Sequence, residues 1–518
     1  MKLFALILAT IFIQPLFAQD TWPQAAGPNA NWIVDGKAPT EWSAFRNENI
    51  LWRTPMPEAG MSSVTIWKDK AFVTTHTPLE SVEKQNEAKD IIGFCLDAHT
   101  GKILWKVELP GSAPISIAGG FTDGTVFAPI CDGKNVWFFN RCGSIGCYDM
   151  DGNKVWLREY TPRYRHNNRQ FEPVMVDDMI LHLEVHDKKN GGKISKWAAP
   201  GKKGKPTIPE GVPVKDVWTY IHALDKATGK VIWREDAGTS VHATPMISKM
   251  ADGTTAILHS RGGGHGPLEK PYGFSLTAIK GKTLWSTEVN KTFVNTNLHW
   301  NEKFGYGFGD NKHLVFDTKT GKIVGKQDLF SGVDICRFVS SKNEWVKETG
   351  AKLKSKKIAT YHTNLVKGKY HYFLTHNNYY AGRINTETNK VEYLELPAQM
   401  IPDKESRGKN TLLWGKGNKG NKPTNVQGMA IGNKGHNGPG WGHISAASPI
   451  LVGKHLLWPV VSGTVYVIDT SKESWDQNAI VSVNDLGEGG KTWTLSSFSY
   501  AHGRLYMHTM KEIICIGK

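Results

Sequence analysis

Leu96-Asp97-Ala98-His99-Thr100-Gly101-Lys102-Ile103-Leu104-Trp105 decides how this chain is read. The stretch predicts a strand ending in Leu-Asp, a tight turn, and a second strand closed by tryptophan. Glycine in the turn supplies the positive φ that a short two-strand connection needs. The same phrase returns at Ala223–Trp233, and degenerate copies stand at Tyr148–Trp156, Leu276–Trp285 and Val315–Gly325. A worn copy lies at Ile384–Leu394, and Ile50–Arg53 reads as a closing strand with no opening half. Where no insertion intervenes the copies recur roughly every 50 residues, the period of an array or propeller.

The sequence has 518 residues, a length that would ordinarily suggest several domains. Repeats running nearly from end to end predict one closed all-β array over 19–518 instead. The blade openings and closings number eight, with seven as the alternative if one weak unit is not a full sheet. Each blade is expected to hold four antiparallel strands. The orphan strand Ile50–Arg53 is expected to complete the last blade, which removes the open edge of the array. Residues 1–18 read as a secretory signal, with Lys2, an apolar run Leu3–Phe17 and Ala18 for cleavage. The apolar run is short for a membrane span, so the expected location is the periplasm or beyond.

Cys95, Cys147 and Cys515 hold equivalent places in their repeats and are expected in the core. Cys142 and Cys147 form a C-x4-C pair, a weak disulfide or metal signal. The formal net charge is +15, which favours an anionic partner. Nucleic acid is disfavoured by the export signal and by the lack of a binding module. An acidic or sulfated glycan or a membrane surface fits better.

The x-Leu-Asp-x-x-Thr-Gly-Lys-x-x-Trp phrase, strand starts such as Thr244-Pro245-Met246-Ile247, and the leader Trp22-Pro23-Gln24 resemble the PQQ-like, or quinoprotein-dehydrogenase-like, β-propellers. The resemblance covers nearly all of the chain after residue 18. It implies the propeller fold; this scaffold carries enzymes and non-enzymes alike. The quinone-dependent alcohol dehydrogenases of the fold carry adjacent cysteines and an acidic calcium site. None of the six cysteines here is adjacent to another, which counts against PQQ. The cofactor is otherwise left open, a divalent metal included, and no residue is assigned as a metal ligand.

In such a propeller one face is built from the connections that enter each inner strand and those between second and third strands. The unusual side chains fall there. The entering connections carry Arg163, Arg165, His166, Asn168, Arg169, His242, Trp300, Tyr361, His362, Trp441 and His443; the others carry Arg141, Arg261, His265, His376, Tyr379, Tyr380 and Arg383. His166 is the first choice for acid or base, with His242, His265, His362, His443 and Tyr361 behind it. Arg163, Arg165, Asn168, Arg169, Arg261, His376 and Arg383 are candidates to bind anionic groups, and Trp300, Tyr379, Tyr380 and Trp441 to serve as sugar platforms.

Removing a proton α to a carboxylate needs a neutral base and cationic or amide donors for the developing charge. Glycoside hydrolysis would need paired carboxylates. Few acids stand in these connections, and Glu172 reads as lying just inside a strand. The set resembles, in composition and setting, propeller-fold polysaccharide lyases and oligosaccharide dehydratases acting on acidic algal glycans such as ulvan. The alternatives are a non-catalytic propeller binding glycan or protein at the same mouth, and a quinone-dependent dehydrogenase.

Overall fold

The computed structural model describes residues 19–112, 114–117, 122–160, 171–185, 219–235, 243–261, 273–289, 296–309, 311–353, 364–375, 379–403, 410–415, 422–431 and 447–518. Eight sheets form a ring of blades, each running from an inner strand to an outer one. Blade 1 is Thr65–Trp67, Lys70–His76, Ile91–Asp97 and Ile103–Leu109. Blade 2 is Ile130–Cys131, Asn135–Asn140, Ser144–Asp149 and Lys154–Glu159. Blade 3 is Val174–Val176, Met179–Val185, Thr219–Asp225 and Val231–Glu235. Blade 4 is Met246–Lys249, Thr255–Arg261, Gly273–Ala278 and Lys282–Glu288. Blade 5 has three full strands, Phe304–Gly309, Lys312–Asp317 and Ile323–Asp328, with a Trp300–Gly305 bridge on the inner side. Blade 6 is Asn364–Lys367, Tyr370–Leu374, Tyr380–Asn385 and Val391–Glu395, and the hairpin Ser331–Val339/Glu344–Lys352 adds in parallel to its outer strand. Blade 7 is Ile450–Val452, His455–Pro459, Thr464–Asp469 and Ile480–Asp485. Blade 8 is Ser499–Ala501, Arg504–His508 and Glu512–Ile516, closed by Ile50–Pro55, which pairs antiparallel with the last of these. The expected ring closure is therefore present. Among the described residues no helix is long and apolar enough to cross a membrane.

The repeated phrase has a mechanical meaning. In blade 1, Asp97 Oδ1 accepts from His99 N, Thr100 N and Thr100 Oγ1 at 2.8–3.0 Å, and Gly101 N donates to Asp97 O. Asp225 and Asp317 hold their turns through Thr228 and Thr320 in the same way. The tryptophan then docks on the next blade. Trp105 Nε1 donates to Met150 O at 3.1 Å, Trp156 to Lys226 O at 3.0 Å, and Trp52 to Ala98 O at 3.2 Å. Each ring lies over the neighbour's turn glycine, and a Cβ on Gly101 would come within 2.4 Å of Trp52. Glycine is thus required twice, for its φ of 74° and for the indole above it.

The leader has a role the repeats do not announce. Thr21–Trp22 pairs with the inner strand of blade 1, and Ile33–Val34 with that of blade 7. Between them, Pro23 O accepts from Cys131 N at 2.9 Å and Gln24 Oε1 from Met175 N at 2.8 Å, on blades 2 and 3. Trp22 and Trp32 are buried. The leader therefore occupies the propeller axis, at the end away from the connections that enter the inner strands.

All six cysteines are buried and free, including the C-x4-C pair. Burial pushes the thiols of Cys95, Cys142, Cys147 and Cys515 up to about 12.

Candidate functional site

The inner strands open on a repeated X-Pro step: Ala128-Pro129, Glu172-Pro173, Thr244-Pro245 and Ser448-Pro449. Proline costs nothing at a strand start on a free edge, and it keeps the preceding residue extended. That residue's N–H points along the ring and needs an acceptor. The next blade provides it. Ala128 N donates to Glu172 Oε2 at 2.9 Å, Glu172 N to Thr244 Oγ1 at 3.1 Å, and Thr244 N to Asn297 Oδ1 at 2.9 Å. Asn297 Nδ2 then donates to Ser448 Oγ at 3.2 Å. On the other side, Ser497 N donates to Ser63 Oγ at 2.9 Å and Met61 N to Thr125 Oγ1 at 2.9 Å. A belt of short polar side chains thus rings the axis on the mouth side.

Among the described residues Glu172 is the ionisable member of this belt. It is partly exposed. Burial pushes its carboxyl up to about 7, and the single hydrogen bond from Ala128 N pulls only weakly the other way. Reading Glu172 as a strand residue missed it. The signal was present: blades 4 and 7 have Thr and Ser at this step.

Three buried polar clusters lie around the belt. In the first, His76 Nε2 stands 3.4 Å from Asp123 Oδ2, while Asp123 Oδ1 accepts from Thr125 N and Oγ1 at 2.8 and 2.6 Å. Burial alone would raise the Asp123 carboxyl; His76 and the Thr125 donors hold it below the usual range. Nearby His508 is kept neutral, its burial lowering it to about 4 against a Nδ1 contact with Ser62 O at 2.9 Å. In the second cluster, Arg158 grips Glu184 with both guanidinium nitrogens, one at 2.9 Å, beside His182 and His222 at 3.5 and 3.8 Å. Burial opposes ionisation of Glu184, but these partners bring it down to about 2. In the third, His313 Nε2 meets His371 Nδ1 at 3.0 Å, His371 Nε2 meets Asn364 Oδ1 at 2.9 Å, and His299 Nε2 meets Asn364 O at 3.1 Å. Desolvation keeps all three imidazoles neutral. Among the described residues no group of three or more His, Cys, Asp or Glu is placed to hold a metal ion.

Part of the mouth is roofed. Residues 422–431 follow blade 6 in the chain yet reach blades 8 and 1. Asn425 Nδ2 donates to Glu58 Oε2 at 3.1 Å, Gln427 Nε2 to Pro57 O at 3.2 Å, and Ile431 joins Met61, Ile117, Trp493 and Met510 in an apolar cluster. Glu58 also accepts from Ala59 N and Leu79 N, so it staples three connections together.

Of the residues singled out from sequence, Arg163, Arg165, His166, Asn168, Arg169, His242, His265, Tyr361, His362, His376, Trp441 and His443 lie outside the described residues, as does the Arg261 side chain. Trp300 belongs to the inner wall, where Nε1 donates to Met246 O at 2.7 Å. Tyr379 is buried, with φ of 59° and its carbonyl bonded to Leu396 N at 2.7 Å. Tyr380 packs on Tyr393 at 5.7 Å, and burial pushes its hydroxyl up to about 12. Arg383 does not line the mouth. It is buried, bonds Glu392, Lys472 O and Glu473 O at 2.7–2.9 Å, and stacks on Tyr370 and Trp475. It lies three residues into its strand, near the opposite face, where it locks blade 6 to blade 7. The three described aromatics form no common platform.

A calcium–quinone centre would need a donor set that the described residues do not assemble around the belt: one carboxylate, neutral hydroxyls and an amide, with every cysteine buried elsewhere. These residues do not fit that group.

Among known families, one whose description is the outer membrane protein assembly factor BamB matches residues 219–386. No curated protein matches. Among solved structures, a europium-containing methanol dehydrogenase is similar over 94% of this chain and 89% of its own, at 11% identity and a TM-score of 0.50. BamB from Moraxella catarrhalis is similar over 89% and 97%, at 10% identity and a TM-score of 0.45. A quinohemoprotein alcohol dehydrogenase from Comamonas testosteroni is similar over 96% and 80%, at 9% identity and 0.49. At such identities the likeness is one of fold, a β-propeller, and the match to PQQ-like repeats covers residues 219–386.

Proposed function

We propose that this protein is an exported propeller that acts at its mouth on an anionic glycan, bearing uronate or sulfate groups, by elimination. What supports the reading is the order of residues and strands along the sequence. The numbers 161–170, 236–242 and 354–363 each come just before an inner strand of the described residues, and they include Arg163, Arg165, His166, Arg169, His242, Tyr361 and His362. A net charge of +15 favours an anionic chain as partner. In this reading His166 is the first candidate for acid or base, Arg165 and Arg169 hold the carboxylate or sulfate, and His242, His265, His362, His443 and Tyr361 are further candidates.

The second reading is a propeller that binds at the same mouth without turnover. The match of 219–386 to an assembly-factor family favours it. One experiment separates them. The protein is incubated with a panel of uronate-containing and sulfated oligosaccharides and followed by absorbance of unsaturated uronate and by mass spectrometry. New absorbance, or loss of one water, supports elimination. Salt-sensitive binding with no product supports the second reading.

A further inference from the structure

We propose that Glu172, as a carboxylate and in place of the neutral histidine or tyrosine expected from sequence, is the general base of that elimination, a catalytic residue set into the polar belt around the axis; this rests on the elimination reading. The belt shows what the step before proline is for. Thr244 and Asn297 each serve the N–H of the preceding blade with one neutral oxygen. Glu172 performs that duty with Oε2 alone, toward Ala128 N at 2.9 Å. Its second oxygen, Oε1, has no hydrogen-bond partner among the described residues. A threonine would close the belt equally well, so the extra oxygen and its titratable proton serve something else.

The surroundings suit proton transfer. The side chain is anchored through one oxygen and by Glu172 N on Thr244, which fixes the direction of the other. No charged group among the described residues acts on it, and burial therefore keeps the carboxyl more basic than an ordinary one. The roof formed by 422–431 is stapled to blades 8 and 1, whereas Glu172 stands at the head of blade 3.

The step balances as follows. Glu172 Oε1 takes the proton α to the substrate carboxylate. The C–H electron pair becomes the new carbon–carbon double bond, and the β carbon–oxygen bond breaks. The departing oxygen takes a proton from water, and Glu172 returns its proton to solvent.

The test uses the full chain and two variants. Glu172→Gln keeps the acceptor for Ala128 N and removes the base; Glu172→Thr copies blade 4 and guards against misfolding. With an oligosaccharide that the native protein cleaves, the native rate should rise with pH through about 7, and both variants should lose at least a hundredfold in kcat with KM within about threefold. Carboxylate infrared difference spectra should show a group ionising near pH 7 that Glu172→Gln lacks. A folded Glu172→Gln with full turnover, or a Glu172 carboxyl that ionises near 4, overturns the role and leaves the elimination reading standing. A native protein that yields no product across the panel overturns the elimination reading itself, and the role with it.

Discussion

Trp285 reaches from the outer strand of blade 4 to donate its indole Nε1 hydrogen to Thr318 O of blade 5 at 2.8 Å, and a Cβ on Gly321 would stand 2.5 Å from its ring. This is the joint that the repeated phrase encodes. Trp285→Ala removes a half-buried indole and orphans a carbonyl, and should cost about 2–4 kcal/mol. Gly321→Ala should destabilise in the same direction, because its φ of 71° is unfavourable for alanine. Urea unfolding midpoints check both; unchanged midpoints would remove the docking account.

Closure of the ring depends on Ile50–Pro55 joining Glu512–Ile516. Ile514 pairs with both Arg53 and Met507. Ile514→Pro takes a donor from the middle of that sheet and should cost about 3 kcal/mol or more. The expected readout is aggregation on size exclusion and a lower thermal midpoint. A monomer as stable as the native protein would argue that the last blade closes in another way.

The buried imidazoles set the acid limit. His222, His299 and His508 lie at about 4 when folded and His313 at about 3, against an ordinary 6.5. The unfolded chain therefore binds protons first, and stability that is full above about 6.5 falls as pH drops toward 4. Glu184, at about 2, adds stability that is full above its unfolded value of 4.5 and lost as pH falls through 2. The urea midpoint should decline steadily from pH 7 to pH 4.5. A flat profile would contradict neutral burial of these histidines.

Glu172 works in the opposite sense. Its folded carboxyl is raised, so its contribution is full below about 4.5 and lost as pH rises through 7. Glu172→Gln should therefore be more stable than the native protein at pH 8, by of order 1 kcal/mol after allowing for partial exposure, and no more stable at pH 4. Equal midpoints at pH 8 would show that the carboxyl ionises there without cost.

The six thiols offer a direct check on packing. All are buried, and those of Cys95, Cys131, Cys142, Cys147 and Cys515 sit near 12. A thiol reagent at pH 8 should find none in the native protein within minutes and all six after denaturation. Rapid labelling of the native protein would mean that a blade opens.

The blade count, the closing strand and the cysteine positions were legible because each follows from a local rule: Asp and Thr hold a turn, glycine admits the indole, and the residue before the turn faces inward. Arg383 was misplaced because strand alternation tells which face a side chain takes but not how far along the strand it sits. Glu172 was passed over because its segment was read alone; aligned with Thr244 and Ser448, it stands out as the one acid among the described residues of the belt. The leader was opaque for another reason. Its two short strands pair with blades 1 and 7, and nothing local in Trp22–Trp32 specifies such distant partners.

That leader gives the mouth a floor. Trp22 and Trp32 are buried there, and the short strands at their sides pair with the inner strands of blades 1 and 7, so that end of the axis carries chain. A polymer cannot be reeled through such a body from face to face. On the glycan reading proposed above, a chain would have to enter and leave by the mouth, so products should come from chain ends and short oligomers should be handled as readily as long ones.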